Sequence, residues 1–324
     1  MVVQGTGQGV DVLLRVLAVR GQRRVAVEDP SLSMQRGRIE ALGLQVIGCN
    51  VDENGIVVED LDADAAIVTP AHQFPTGVVL SGERRRALLA WAVERAGLVI
   101  EDDYEAEFRY DREPVRALQG LDPERVAYLG TASKSLAPAL RLGWLVVPRD
   151  LADDAAGMKL LVDHGSPVLD QLALKRLIEA GDYDRHVRRV RAIYQARRDR
   201  LSAALADQLP ELEVKGVAAG LHVLLELPPD LDDELIAREA ARDGVCVEPL
   251  SRSALARRDS SGLVIGYGRL HETALEPAVA ALASAIERVR RAETERQSAG
   301  AASRTPASQR RPRDGSARRL IEQG

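Results

Sequence analysis

The sequence is poor in several features, and each shortage excludes a class of protein. Its two cysteines, Cys49 and Cys246, are far apart and lack zinc-ligand spacing, which predicts reduced core thiols in a cytoplasmic protein and no metal site. No apolar run approaches the length of a membrane span, so we expect no membrane partner. The net charge of −5 gives the body of the chain no electrostatic reason to bind nucleic acid.

Aromatic residues and lysines are also scarce. Aromatics make up only 3% of the 324 residues, so leucine, valine and alanine must fill most of a substantial core. Lysine accounts for only four of the 44 basic residues. One of the four, Lys134, stands among small and hydroxyl residues in "YLGTASKSLAPALRLGW", where a chain that nearly always uses arginine has kept a lysine.

The first 150 residues alternate between short apolar runs and amphipathic stretches. "RRVAVEDP", "AAIVTP", "GLVIEDDY" and "RVAYLGT" are typical of buried strands, and "GERRRALLAWAVERAG" of a helix. This alternation predicts an α/β fold with a mixed, mostly parallel sheet covered by helices on both faces. Residues 1–150 are therefore predicted to form a large domain.

The pattern changes in the second half. Residues 151–208 are predicted to be connecting helices, and their arginine-rich part, "RHVRRVRAIYQARRDR", has apolar residues at helical spacing, which favours a bracing helix over a nucleic-acid site. Residues 209–292 mix strands and helices and are predicted to form a small C-terminal α+β domain. Residues 293–324 are rich in Ser, Ala, Arg, Pro and Gly without an apolar period, which predicts a disordered tail.

Three stretches carry residues suited to one cofactor. Lys134 directly follows a predicted strand, where desolvation would lower its pKa and allow its neutral amine to attack a carbonyl. Thr131, Ser133 and Arg141 supply two hydroxyls and a guanidinium suited to a phosphate group.

The other two stretches complete the set. In "QGTGQGVDVLLRVL", Gly5, Thr6 and Gly7 precede a helix whose N-terminal N–H groups favour an anion. "LVIEDDYEAEFRY" places Asp102 and Tyr104 at a strand end, where α/β sheets bind ligands, and a buried carboxylate there needs a cationic partner such as a protonated pyridine nitrogen. Together the three stretches predict a site for pyridoxal 5′-phosphate.

The motifs "TPAHQFPTGVVLS", "IEDDYEAEFRY" and "YLGTASKSLAPALRLGW" resemble the aminotransferase-like domain of MocR-type regulators in the GntR superfamily. More broadly, residues 1–290 are similar to fold-type I, class I/II aminotransferases. The resemblance implies a seven-stranded mixed sheet in the large domain, a small C-terminal domain, and a homodimer with sites at its interface.

The resemblance also implies a role for each matching residue. Lys134 would form the internal aldimine as the catalytic residue, Asp102 would pair with the pyridine nitrogen, and Tyr104 would bond the phenolic oxygen. The phosphate would be held by the remaining residues of the set, which are Gly5, Thr6, Gly7, Thr131, Ser133 and Arg141. Among the histidines, His72 is a candidate for the site, whereas we expect structural or surface roles for His164, His186, His222 and His271.

The sequence departs from the family pattern in three places. Leu32 stands where an aromatic usually stacks on the cofactor ring, a loss on the order of 1 kcal/mol. Leu263 stands where enzymes of the class hold the substrate carboxylate with an arginine, and Arg269 is close to it only in sequence. The chain begins almost at the glycine loop, so we expect an N-terminally truncated large domain without the winged-helix domain of MocR-type regulators.

Three hypotheses follow for the role of the chain. In the favoured one, it senses an amine or amino-acid-like effector through the Lys134 aldimine in a transcription regulator, which would contact DNA only through a winged-helix domain absent here. In the second, it is a free-standing aminotransferase. In the third, it is a degenerate fragment that binds nothing well.

Overall fold

The computed structural model describes residues 1–105, 107–110, 116–216, 219–255 and 260–302. The helices are α1 (Thr6–Val19), α2 (Ser33–Ala41), α3 (Gly82–Glu94), α4 (Ala152–Asp163), α5 (Val168–Glu179), α6 (Asp182–Gln208), α7 (Asp233–Arg242) and α8 (Glu272–Ala302). The strands are β1 (Val2–Val3), β2 (Arg24–Asp29), β3 (Gln45–Asp52), β4 (Gly55–Ile56), β5 (Ala65–Val68), β6 (Leu98–Asp103), β7 (Val126–Thr131), β8 (Gly143–Val146), β9 (Val214–Lys215), β10 (His222–Leu227), β11 (Glu248–Pro249) and β12 (Ser261–Gly266).

The large sheet has the strand order β1-β8-β7-β6-β5-β2-β3-β4. Its five central strands are parallel, whereas β8, β1 and β4 run antiparallel to their neighbours. The predicted mixed, mostly parallel sheet is thus confirmed. It has eight strands rather than the seven implied by the resemblance, and the strands at its two edges, β1 and β4, are only two residues long, too short to leave a periodic signal in the sequence.

Side chains on the parallel strands alternate between two hydrophobic cores. Val25 and Val27 of β2 pack with α1 on one face of the sheet, while Ala26 between them packs with α3 on the other. On β6, Ile100 joins the α1 side and Val99 the α3 side. Because neighbouring side chains on a strand point to opposite faces, strands that are apolar throughout require helices on both faces, as predicted.

A second, antiparallel sheet of order β11-β12-β10-β9 forms the C-terminal part of the fold. Leu225, Leu263 and Tyr267 are fully buried in its core, with apolar residues of α6, α7 and α8. The predicted small α+β unit is present, although α8 continues to Ala302, beyond Ala292 where we placed the start of a disordered tail. Residues 303–324 of that tail lie outside the described residues.

Helix α6 contacts both parts of the fold through its polar side chains. Arg191 Nε donates to the Glu107 carbonyl of the large sheet's loops at 2.8 Å, and Arg197 Nη1 donates to the Gly268 carbonyl beside the small sheet at 2.6 Å. Several arginines of this helix therefore serve intramolecular contacts. Within the part of the chain that the structure describes, no helix combines the length and apolar character needed to cross a bilayer.

Candidate active site

A cavity of about 680 Å³ lies where the C-terminal ends of the large-sheet strands face β10, β11 and β12. Seven of the predicted site residues line it: Thr6, Asp102, Tyr104, Thr131, Ser133, Lys134 and Arg141. Gly5 and Gly7 are not among the lining residues, although Gly5 lies against the Arg141 guanidinium. Chain segments more than a hundred residues apart therefore meet at one edge of the sheet, as parallel strands require.

The three acidic residues at the end of β6, Glu101 to Asp103, point alternately to the two faces of the sheet. Glu101 accepts hydrogen bonds from the backbone N–H groups of Leu118 (2.9 Å) and Gln119 (3.0 Å), so it fixes a neighbouring turn. Asp103 accepts a 2.8 Å hydrogen bond from the Tyr128 hydroxyl. Asp102 points the opposite way and is the member of the run that lines the cavity.

Asp102 is buried, and one of its oxygens has no hydrogen-bond partner among the described residues. Its Oδ2 accepts a 3.2 Å hydrogen bond from Gln35 Nε2, whereas its Oδ1 is buried and accepts none from the part of the chain that the structure describes. Burial, followed by repulsion from Asp103, raises the pKa of Asp102 to about 7, against the opposing effects of the Gln35 hydrogen bond and the Lys134 charge. A buried oxygen of this kind is suited to a cationic N–H donor.

The opposite end of the cavity presents donors for an anion. Helix α1 begins here after Gly5, whose φ of 78° and contact with the Arg141 guanidinium leave no room for an unstrained side chain. Arg141 is itself left-handed, with φ of 49°, and its Nη2 donates to the Gln4 carbonyl at 3.0 Å. Thr131 Oγ1 lies 2.9 Å from Ser133 Oγ, which places both hydroxyls next to this helix end.

Lys134 lines the cavity from a turn after β7, but it is exposed rather than desolvated. The expectation of a desolvated lysine is therefore wrong for this structure, because the cavity is open to solvent at this point. The turn that carries Lys134 is fixed by contacts with α6. Ser135 is buried, its Oγ lies 2.9 Å from the Tyr183 hydroxyl, and its carbonyl accepts a 2.8 Å hydrogen bond from His186 Nε2.

Two histidines and a glutamate meet where the two sheets approach each other. His72 Nδ1 is 2.6 Å from Glu105 Oε1, and His222 Nδ1 is 3.7 Å from the same oxygen. Although burial acts to raise it, the hydrogen bond and charge of His72 and the nearby His222 hold the pKa of Glu105 below its usual range. Burial lowers the pKa of His222 to about 4 in spite of the attraction of Glu105, so His222 is neutral near pH 7.

This cluster bears on two expectations, the role of His222 and the prediction that the chain has no metal site. His222 is buried and lines the cavity, so a surface role is excluded for it, while the expected structural role stays a prediction; the pairing of β10 with β12 brings it there, a contact the sequence does not signal. The three side chains are metal-ligand types with atoms within 4.8 Å of one another. The 2.6 Å contact between His72 and Glu105 is that of a charge-assisted hydrogen bond.

Glu28 is a second buried carboxyl that the sequence reasoning missed. It lies at the C-terminal end of β2, lines the cavity, and its Oε2 accepts hydrogen bonds from Thr69 Oγ1 (2.6 Å) and Gln73 Nε2 (3.2 Å). Burial raises its pKa to about 7, with a contribution from the Asp102 charge, while the hydrogen bonds from Thr69 and Gln73 oppose the shift. Its place at a strand end, like that of Asp102, was the available signal.

The wall formed by the small sheet differs from the sequence expectation. Leu263 is buried in the small-domain core, and its neighbour Val264 lines the cavity instead; Arg269 is exposed and is not among the lining residues. Cys246 is exposed and lines the cavity, so the prediction of two core thiols holds for Cys49 alone. Leu32, which stands where an aromatic was expected, is also part of the lining.

The geometry agrees with comparisons to known proteins. The sequence profile of the family described as "Aminotransferase class I and II" matches residues 1–282. The chain belongs to the class I and II aminotransferase family. Its structure is similar to that of Pyrococcus horikoshii kynurenine aminotransferase, with a TM-score of 0.81 and 27% identity over 89% of this chain and 74% of that one.

Curated relatives include transcription regulators. The chain is 37% identical over 273 residues to the uncharacterized HTH-type transcriptional regulator YhdI of Bacillus subtilis, covering 82% of this chain and 58% of the relative. It is 32% identical over 288 residues to the HTH-type pyridoxine biosynthesis transcriptional regulator PdxR of Corynebacterium glutamicum, covering 88% and 62%. The chain thus corresponds to the aminotransferase-like domain of these regulators and spans about three fifths of their length. The predicted family resemblance is confirmed.

Proposed function

We propose that this chain is the ligand-sensing domain of a transcription regulator, and that it binds pyridoxal phosphate and detects an amine or amino-acid-like effector. The observation that carries the proposal is the single cavity in which Lys134, Asp102 and the donors around Arg141 converge. The family implies the same cofactor. Such a regulator would work in the cytoplasm, and its DNA contacts would come from sequence outside the matched region.

The described residues fit the cofactor at both ends. The buried Oδ1 of Asp102, which accepts no hydrogen bond from the described residues, suits the N–H of a protonated pyridine ring. The N-terminus of α1, with Thr131, Ser133 and Arg141 beside it, supplies neutral and charged donors for a phosphate. Glycine suits position 5 because its φ of 78° is a backbone conformation that residues with a side chain rarely adopt.

Pyridoxal phosphate supplies an aldehyde that bonds reversibly to primary amines and withdraws electrons from them. Each protein group then has a defined task. The Lys134 amine would hold the cofactor and, when released from it, would be placed to take up or return a proton. Asp102 would keep the ring nitrogen protonated through charge and hydrogen bonding. Tyr104 would be the partner of the phenolic oxygen, although its hydroxyl donates to the His72 carbonyl at 3.1 Å in this structure.

Two observations favour a sensor over an enzyme. Curated relatives at 37% and 32% identity are named as transcription regulators. In addition, the small-sheet wall presents Val264 near the position at which enzymes of the class hold the substrate carboxylate. A sensor needs reversible ligand binding but no turnover, so it can dispense with groups that position a substrate for reaction.

A free-standing aminotransferase is the second candidate. Its support is the similarity to solved aminotransferases, one of which is described in complex with PMP, with KYN as substrates and KYA as products. Lys134 would then also transfer the proton between the carbon atoms of substrate and cofactor.

The test is a visible absorbance spectrum of the purified chain with added pyridoxal phosphate, followed by borohydride reduction and mass analysis. We expect a yellow species whose reduction fixes the cofactor on Lys134, and no such adduct in a Lys134→Ala variant. Adding amines and a 2-oxo acid then separates the two candidates. A sensor changes its spectrum without releasing a new oxo acid, whereas an aminotransferase releases it catalytically. No bound cofactor in the folded chain would contradict both.

We further propose that the chain forms a homodimer through α4 and α5. No residue of α5, a fully described helix, is buried, and Val168, Leu169 and Ile178 are more than half exposed. Leu160 and Leu161 of α4 are also more than half exposed. Large apolar side chains exposed in such number on neighbouring segments of the chain are typical of a protein–protein contact. Light scattering should give a dimer for the wild type and a monomer for Leu169→Glu.

A further inference from the structure

The cavity has a second half, formed by the small sheet, whose chemistry points to a ligand class. On β12, Val264 and Gly266 line the cavity, while the alternate residues Leu263 and Ile265 lie in the small-domain core. Glu248 on β11 is paired directly with Val264, so its side chain stands on the same face. Glu248 is exposed and lines the cavity.

The body of this half is apolar. Val264 packs with Leu224 and Leu250, and Phe74 from the large-sheet loops packs against them. Leu221 and Val247 add to the lining. A ligand entering here therefore meets hydrocarbon along most of its length, which favours an alkyl chain over a polyhydroxylated one.

The charges of this half are of one sign. Lys134 and Arg141 are the lysine and arginine that line the cavity among the described residues, and both belong to the cofactor end. His222 is neutral near pH 7. Glu248 makes no ion pair or side-chain hydrogen bond with any other residue that the structure describes, so its carboxylate is available to a ligand. Among the described lining residues, a ligand carboxylate in this half would meet the negative charge of Glu248 and no lysine or arginine.

We propose that the cavity takes a primary amine with an apolar alkyl body and a second cationic amino group, a diamine rather than an α-amino acid, and that Glu248 selects the second cation. This inference rests on the proposed function, because the first amine engages the cofactor. In that exchange the ligand nitrogen bonds to the cofactor carbon that Lys134 had held, and the lysine nitrogen leaves. A proton passes from the incoming to the departing nitrogen, and nothing is oxidised or reduced.

The experiment is a spectral titration of the cofactor-loaded chain, freed of excess cofactor, with four ligands of similar length. Cadaverine carries two amines, pentylamine one, aminocaproate an amine and a distal carboxylate, and norleucine an α-carboxylate. We expect cadaverine to half-saturate the wild type at a concentration about tenfold below aminocaproate, because attraction and repulsion at one exposed carboxylate each change affinity by up to about fivefold. Mass analysis after borohydride reduction identifies the bound amine.

Substitutions at Glu248 isolate its effect. Glu248→Gln should lower the preference for cadaverine over pentylamine about threefold, since only cadaverine interacts with the lost charge. Glu248→Lys should reverse the order, so that aminocaproate binds more tightly than cadaverine. The matched control, Glu276→Gln, removes an exposed glutamate on α8 of the same unit outside the cavity lining and should change neither ratio.

The outcomes separate this inference from the function on which it rests. If the chain loads with cofactor but norleucine or aminocaproate binds at lower concentration than cadaverine, the diamine inference is overturned and the sensor proposal stands. The same holds if the ratios are unchanged in Glu248→Gln. If the folded wild type binds no cofactor, the proposed function fails first and takes the inference with it.

Discussion

The two walls of the cavity differ in how closely they keep the family pattern. The large-sheet wall brings seven of the nine predicted cofactor groups into one lining: Lys134, Asp102, Tyr104, Arg141, Thr131, Ser133 and Thr6. The small-sheet wall presents Val264 beside the position at which enzymes of the class carry an arginine, and it adds Glu248, whose carboxylate makes no ion pair with the described residues. One wall matches the motifs of an enzyme family, and the other does not.

This difference separates two requirements that an enzyme must meet together. In the proposed function, cofactor binding depends on groups at the ends of β6 and β7 and at the start of α1, which line one cavity. Ligand choice would then depend on β10, β11 and β12, which belong to a separate sheet. A domain that senses small molecules can therefore retain the covalent chemistry and alter the ligand.

The largest expected effect is at Lys134. Lys134→Ala should abolish the borohydride-fixed adduct, and Lys134→Arg should do so equally, since a guanidinium stays protonated and cannot attack a carbonyl. Peptide mapping by mass spectrometry is the measurement. An adduct of similar yield on Lys159, Lys175 or Lys215 in either variant would contradict the assignment of the large-sheet wall as the cofactor site.

Asp102 comes next. Asp102→Asn should weaken cofactor binding about a hundredfold, because a charge-assisted hydrogen bond in a buried site is replaced by a neutral one. The variant should fold, since it removes a carboxyl whose ionisation burial already disfavours. A fluorescence titration with pyridoxal phosphate measures the dissociation constant. Asp103→Asn, on the opposite face of β6 beside Tyr128, is the matched control and should change it little. Equal losses in both variants would contradict the assignment.

Much of the large-sheet wall could be predicted because its groups follow strands directly in sequence. Lys134, Asp102 and Arg141 are each within a few residues of a recognisable strand, and parallel strands bring their ends together by rule. The exposure of Lys134 could not be predicted in this way. It depends on how far the small sheet stands from the large one, which no local pattern encodes.

The small-sheet wall was harder to predict for a different reason. Whether Leu263 or Val264 faces the cavity depends on the phase of a period-two strand that is apolar on both faces, and a one-residue error exchanges the faces. His222 and Glu248 reach the cavity only through their pairing with β12, and such long-range register has no signature in a single sequence.

The stability of the cofactor-free chain should depend on pH through Glu28. Its pKa is raised in the folded state, so its contribution to stability is complete below its ordinary pKa and is lost as pH rises toward about 7. Wild type should therefore lose about 2 to 3 kcal/mol relative to Glu28→Gln between pH 4.5 and 7, since each unit of pKa shift corresponds to about 1.4 kcal/mol.

Urea unfolding of both proteins across this pH range is the measurement. Asp102 contributes equally in both proteins to the change of the free energy of unfolding with pH. The difference between the two proteins therefore isolates the contribution of Glu28. Glu248→Gln, which removes an exposed carboxyl from the opposite wall, is the control and should run parallel to wild type. Parallel curves for Glu28→Gln as well would show that Glu28 is ionised in the fold without penalty.

A smaller effect is expected when the missing cation is restored to the small-sheet wall. Val264→Arg should tighten norleucine binding about tenfold, because a guanidinium pairs with a carboxylate through two hydrogen bonds. Val264→Met, a long neutral side chain, controls for bulk in the cluster with Leu224 and Leu250. Spectral titration of the cofactor-loaded variants is the readout. A gain with both side chains would mean that volume, and not charge, sets ligand choice.

The smallest effect is expected at Leu32, the one departure from the family pattern on the large-sheet side. Leu32 lines the cavity and is 36% exposed, so an aromatic side chain at this position has room to extend into the cavity. Leu32→Tyr should tighten pyridoxal phosphate binding about fivefold, the equivalent of about 1 kcal/mol of ring stacking. Leu32→Met, which adds length without a ring, should leave the dissociation constant near that of wild type. If both variants tighten binding equally, the gain comes from apolar contact and not from ring stacking, and the absence of an aromatic at position 32 does not weaken cofactor binding through lost stacking.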